Sequence, residues 1–165
     1  MRLQYSIVVL LIAFLTISYL LGYTPLAVPL IFIAVSSLTY IVYAKDKKSA
    51  QAGSQRSPEN TLHLLSLACG WPGAVLAQQR LRHKTKKVSF RITFWLTVVL
   101  NTGALIGLHS EHGNRLLRNG FFHIENAAIT HVHSEYGLST VLFFTTYRAK
   151  IKLLTSKSTS HAGPS

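Results

Sequence analysis

The sequence predicts an all-α membrane protein, with three full transmembrane helices, a broken helical hairpin and a poorly defined C-terminal tail. Three observations lead there. The chain carries 17 basic and 5 acidic residues, yet Arg2 is the only charged residue among the first 44. A water-soluble fold can leave such a run uncharged only by burying it on every side. Apolar runs recur at 5–21, 26–43 and 88–108, each close to the roughly 20 residues that cross a bilayer core of about 30 Å. A fourth apolar run, 61–77, is interrupted in its middle by Gly70-Trp71-Pro72-Gly73. A length of 165 residues allows one compact domain at most, and Cys69, the single cysteine, excludes a disulfide scaffold.

The first two runs are joined by Gly22-Tyr23-Thr24-Pro25, an uncharged turn that makes them a tight hairpin. Arg2 ahead of an apolar stretch has the outline of a signal peptide. Cleavage is not expected, because a second span follows within four residues and no A-x-A-like site appears. In the broken run, Pro72 lacks a backbone donor and clashes with the carbonyl four residues back, while the flanking glycines loosen the chain. Upstream, Ser57-Pro58 reads as a helix start, with serine as N-cap and proline in the first position. The expectation is two short helices, 58–69 and 72–82, meeting at Gly70–Gly73. The third strong span, 88–108, closes a membrane domain of residues 1–108, and residues 109–165 form the tail.

Whether 61–77 crosses or returns is decided by its basic flanks. A full crossing places Arg2, Lys45, Lys47, Lys48, Arg56, Arg115 and Arg118 on one side and Arg80, Arg82, Lys84, Lys86, Lys87 and Arg91 on the other, which is no bias. A segment that re-enters, or lies at the interface, leaves only Arg115 and Arg118 outside and puts all the others inside. Orientation follows the Lys/Arg bias of short loops, so the returning arrangement is favoured, with a cytoplasmic N-terminus. A kinked fourth span is the alternative. Non-helical backbone at membrane depth needs protein or a wet cavity around it, so the hairpin is expected to pack against the spans.

Several short motifs occur in order: Tyr43-Ala44-Lys45-Asp46-Lys47, Ala50, Arg56-Ser57-Pro58-Glu59, Leu62-His63, Gly70-Trp71-Pro72-Gly73-Ala74, Gln78, and Arg82-His83-Lys84-Thr85-x-Lys87-x-x-Phe90. Over roughly residues 26–108 the chain resembles the domain-of-unknown-function family 1294 of small bacterial membrane proteins. The resemblance implies a multi-pass protein of the bacterial inner membrane and brings no activity with it. Many of these proteins carry a cold-shock domain. No basic-aromatic K-G-F-G-F-type motif precedes the membrane segments here, so direct nucleic-acid binding is not expected.

Candidate chemistry gathers at the helix ends. Glu59, His63, Ser66 and Gly70 follow i, i+4, i+7, i+11 on one helix face. With Asp46, Lys47 and Arg56 they form a candidate polar cluster. A Glu59–His63 contact can orient the hairpin, and a carboxylate beside an imidazole can also serve as an acid–base pair. Asp46 and Glu59 sit among cations, so pairing with Lys47 or Arg56 is expected rather than metal binding. Arg80, Arg82, His83, Lys84, Lys86 and Lys87 are the densest basic run. It can hold the loop inside by charge alone, since each Lys or Arg near an anionic leaflet contributes roughly 1 kcal/mol. It can also bind a lipid headgroup or a phosphorylated ligand, with Arg82 as the bidentate fork. The Arg-His pair bears a loose resemblance to the Arg-His-Pro element of integral-membrane methyltransferases, but lysine replaces the proline and no downstream cofactor-binding glutamate is apparent.

Thr93, Thr97 and Asn101 share a face at i, i+4, i+8. An amide in hydrocarbon should face protein or water, as an interhelical hydrogen bond or on a substrate path. Gly103 and Gly107 form a G-x-x-x-G that permits close helix approach, within one chain or between two copies. In the tail, His109, His112, His131 and His133 with Glu111 and Glu135 have side chains that can hold zinc or copper; no frame sets them in a ligand geometry, and no metal or cofactor is assigned. Residues 137–147 are too short to span and read as a strand or an interfacial segment, and the last ten residues should be disordered. The sequence thus points to a non-enzymatic accessory or scaffold whose basic cytoplasmic face binds anionic lipid or a partner. An oligomeric small-solute transporter component and a membrane enzyme acting on a lipid or phosphorylated substrate are the rival classes.

Overall fold

The computed structural model describes residues 2–55, 57–82, 87–131 and 135–147. Every regular element among them is helical: α1 (Arg2–Leu20), α2 (Ala27–Gln51), α3 (Glu59–Leu65), a π-helical turn (Ser66–Gly70), α4 (Trp71–Leu81), α5 (Val88–Gly107), α6 (Glu111–His131) and α7 (Glu135–Thr145). The chain forms two compact units. One holds Met1–Ile12 and Leu30–Gly107, the other Ala13–Pro29 and Leu108 onward.

Among the described residues two helices, not three, are long and apolar enough to cross a bilayer: α2, with 25 residues, and α5, with 20. The first predicted span falls short. Among the described residues it counts only as a shorter apolar helix, Gln4–Leu20, about 26 Å at 1.5 Å per residue against a core of about 30 Å, and the chain turns at Gly22, whose φ is +77°, within the predicted turn. α2 and α5 bury little of themselves: 22% and 33% of their apolar windows lie inside the protein. On α5 the buried residues Phe90, Phe94, Thr97, Val98, Asn101 and Leu105 make one inward stripe, while Val88, Ile92, Leu96, Val99 and Ile106 are exposed.

The predicted break is present, one to two residues ahead of the expected junction at Gly70–Gly73. Ala68 (φ −78°, ψ 36°) and Cys69 (φ 73°, ψ 6°) leave helical geometry, and Pro72 sits in the first turn of α4, where its missing N–H goes unused. The glycines act by close approach. A Cβ on Gly70 would strike the Thr39 side chain, and one on Gly73 would overlap the Ser36 backbone. The start of α4 therefore lies against the middle of α2, backbone on backbone at Gly73 and Ser36. The helix start also differs from expectation: α3 begins at Glu59 and has no side-chain cap. Instead the Ser57 N–H donates to Asp46 Oδ1 at 2.9 Å, so α2 supplies the acceptor.

The tail is more ordered than the sequence suggests. Residues 111–131 form a helix, and 137–147, read as a strand or interfacial segment, lies mostly in helix α7. α6 and α7 share polar contacts: the Thr145 and Thr146 hydroxyls donate to Glu125 Oε1 at 3.3 and 3.5 Å, and the Arg118 guanidinium lies 4.9 Å from the Tyr147 ring centroid. Burial pushes the Tyr147 phenol up, and the Arg118 charge offsets part of that shift. In the same unit, His109 Nε2 meets Ser18 Oγ at 2.7 Å and its ring packs on Phe14 and Tyr23. The predicted disordered segment, 156–165, lies outside the described residues, as does the side chain of His131 and all of His133.

Candidate functional site

The chemistry-bearing residues of the first unit gather where α2 ends and α3 and α5 begin. Two polar contacts fasten this end. Asp46, with no exposed surface, takes the Ser57 N–H. Lys87, just ahead of α5, donates to Glu59 Oε2 at 2.7 Å. The chain between Glu59 and Lys87 thus leaves this end and comes back to it. α3 and the turn climb only about 15–18 Å at 1.5 Å per residue, and α4 returns by about 16 Å.

Inside lies a polar centre around Phe90, whose ring is buried. His63 stacks on it with centroids 4.4 Å apart, and Tyr43 meets its edge at 6.4 Å. The Tyr43 hydroxyl lies beside Gln78 and Ser66; Ser66 Oγ donates to Leu62 O at 2.8 Å. All three side chains are buried. The stripe Glu59, His63, Ser66, Gly70 runs from half-buried to buried as it climbs, so it is the inward face of the hairpin.

Higher up, Asn101 on α5 is buried, and its amide donates to the Leu67 and Ser66 carbonyls at 2.5 and 3.4 Å. These carbonyls precede the break, where the i→i+4 ladder is interrupted, and Asn101 supplies a donor. Thr97 bonds to its own helix at Phe94 O, while Thr93 is exposed. A Cβ on Gly103 or Gly107 would meet nothing within 4 Å, so the G-x-x-x-G makes no close approach within the described chain.

The outer rim of the first unit is cationic. Lys45 and Lys48 at the end of α2, Arg80 and Arg82 at the end of α4, and Lys87 and Arg91 at the start of α5 are all exposed. Arg82 ends α4 in the left-handed region, at φ 48°. Lys47 is half-buried. The predicted site residues Arg56, His83, Lys84 and Lys86 lie outside the described residues. Such a rim is suited to holding anionic oxygens by charge and hydrogen bonds; the polar centre behind it orients three helix ends.

Residues the sequence reading did not single out are Ser36 and Thr39, the seats for Gly73 and Gly70. Their signal was present, as small hydroxylated residues three apart within an apolar run. Gln78 and Phe90 stood in the motifs with no role given to them.

No curated protein and no solved structure matches this chain. One family model does, over residues 36–90, a segment that starts at the Ser36 seat and ends at Phe90, and so encloses the hairpin and the whole polar centre. It is the model described as "Protein of unknown function (DUF1294)", and its match to residues 36–90 supports the resemblance to that family over a third of the chain.

Proposed function

We propose that the protein is a non-enzymatic accessory or scaffold unit of the bacterial cytoplasmic membrane that holds anionic lipid headgroups on a basic face. α2 and α5 cross the bilayer. The α3–α4 hairpin enters from the cytoplasmic side and returns to it. The small buried share of α2 and α5 supports a lipid environment, because the core helix of a soluble protein would be mostly buried. The observation that carries the binding reading is the rim itself: six exposed cations from three helix ends, with Glu59 as the acid beside them. Polar backbone at the break is covered by Asn101 and α2, as re-entrant structure requires. The engagement of Asn101 with two carbonyls favours this role over a solute path along α5.

Native mass spectrometry of the protein from micelles containing phosphatidylglycerol and phosphatidylethanolamine tests the proposal. The wild type should retain phosphatidylglycerol selectively. At roughly 1 kcal/mol per cation, Arg80→Gln with Arg82→Gln should weaken retention about thirtyfold. Equal retention of both lipids, or no change in the double variant, would count against the reading.

A further inference from the structure

We infer that α6 is an interfacial helix that lays its uncovered apolar face into the acyl region of the leaflet. The opposite edge of the helix is where α7 packs: Glu125 receives the Thr145 and Thr146 hydroxyls, and Arg118 covers the Tyr147 ring. The hairpin covers only part of the apolar surface of α6, with Ala128 buried and Leu117 and Phe121 half-buried on the side of Glu125. The stripe Leu116, Gly120, Ile124 and Ala127, at i, i+4, i+8 and i+11, stays exposed along its whole length. Leu116 is 71% and Ile124 50% exposed. Beside it runs an open groove of about 330 Å³, with Leu108, Leu117 and Phe121 completing its walls and almost no polar surface.

The occupant is lipid, for reasons of continuity and amphipathicity. Only Leu108–Ser110 separates α6 from the end of α5, a helix of bilayer-crossing length with exposed apolar residues up to Ile106. Leu108, in that link, lines the groove. Arg115, Asn119 and Asn126 are exposed on the other flank, with Phe122 and Ile129 between them, and this more polar flank above an apolar stripe suits a helix lying in the headgroup boundary. Short acyl segments, rather than a folded partner, fit a groove without hydrogen-bonding groups. The inference rests on the membrane reading of α5.

Nitroxides placed one at a time by Leu116→Cys, Ile124→Cys, Asn119→Cys, Asn126→Cys and Val99→Cys test it, in a Cys69→Ala background and in phosphatidylethanolamine–phosphatidylglycerol vesicles. The ratio of oxygen to nickel-chelate accessibility should be several-fold higher at 116 and 124 than at 119 and 126, and high at 99. Equal ratios across the four α6 positions, with 99 still shielded from nickel, overturn the inference and leave the membrane reading standing. A label at 99 that is open to nickel overturns both. Dipolar broadening between labels at 116 on separate chains also overturns it, since the face would then be covered by a second copy.

Discussion

Gly73→Ala probes the contact on which the hairpin depends. A Cβ at position 73 would stand 2.6 Å from the Ser36 carbonyl carbon and 2.8 Å from its Cα. Carbon pairs settle at about 3.5–4.0 Å, so α4 and α2 must separate by roughly 1 Å. The Ser36 carbonyl oxygen would lie closer still, and all three obstructing atoms are backbone, which leaves no side chain to swing aside. Overpacking of this kind costs about 1–3 kcal/mol, with the upper part of that range expected here. Alanine returns up to about 1 kcal/mol in helix propensity, less at this position because it lies in the first turn. The net loss is about 2 kcal/mol, which corresponds to a Tm lower by about 4–8 °C for a chain of this size. Thermal unfolding of the purified protein in detergent reads the shift. Gly103→Ala is the control, since its Cβ would meet nothing within 4 Å, and its Tm should be unchanged or slightly raised. A Gly73→Ala protein as stable as the wild type would refute the close packing of the broken helix on α2.

The other polar and strained positions separate by burial in the same assay. Asp46→Ala removes a fully buried carboxylate and leaves the half-buried Ser57 N–H without its acceptor, and should cost about 1–3 kcal/mol, whereas Glu59→Gln removes a half-open ion pair, with Lys87 and Glu59 side chains 59% and 33% exposed, and should cost less than about 1 kcal/mol; equal losses would show that the two acids are not distinguished by burial. Asn101→Leu removes the donor to the Ser66 and Leu67 carbonyls and should lower stability by about 0.6–1.7 kcal/mol, and a neutral result would place the break's polar backbone elsewhere. Cys69→Gly relieves a left-handed residue worth about 1–2 kcal/mol of strain against a gain of unfolded-chain freedom of about 0.4–1 kcal/mol, so its Tm should rise or hold. Cys69→Val, β-branched at φ 73°, should lower it, and the reverse order would rule out a positive φ at this residue.

The helical class and the broken fourth run were legible because periodicity, charge spacing and Gly/Pro placement are local signals. The Gly-Trp-Pro-Gly run marked the break to within two residues. It did not say that the glycines serve close approach while Cys69 takes the left-handed backbone, since that division depends on what α2 presents at Ser36 and Thr39. The helix start shows the same limit: Ser57-Pro58 reads locally as a cap, but the acceptor is Asp46, eleven residues upstream. Glu59 and Lys87 were both singled out, in separate clusters, and only the return of the chain brings them together. The turn after α1 was legible at Gly22–Pro25; what the apolar run did not decide was whether so short a helix makes a full span. α6 and α7 were missed because histidines and asparagines obscure the stripe at Leu116, Gly120 and Ile124.

The central claim is that the segment between α3 and α5 returns to the side from which it entered. Ser54→Cys and Thr85→Cys, each in a Cys69→Ala background, place a thiol on either side of the hairpin. Labelling with a membrane-impermeant maleimide, in right-side-out spheroplasts and in inverted vesicles, reads their faces directly. Modification of both thiols only in inverted vesicles is the expected result. Modification of the two from opposite faces would make 61–77 a full crossing and contradict the account.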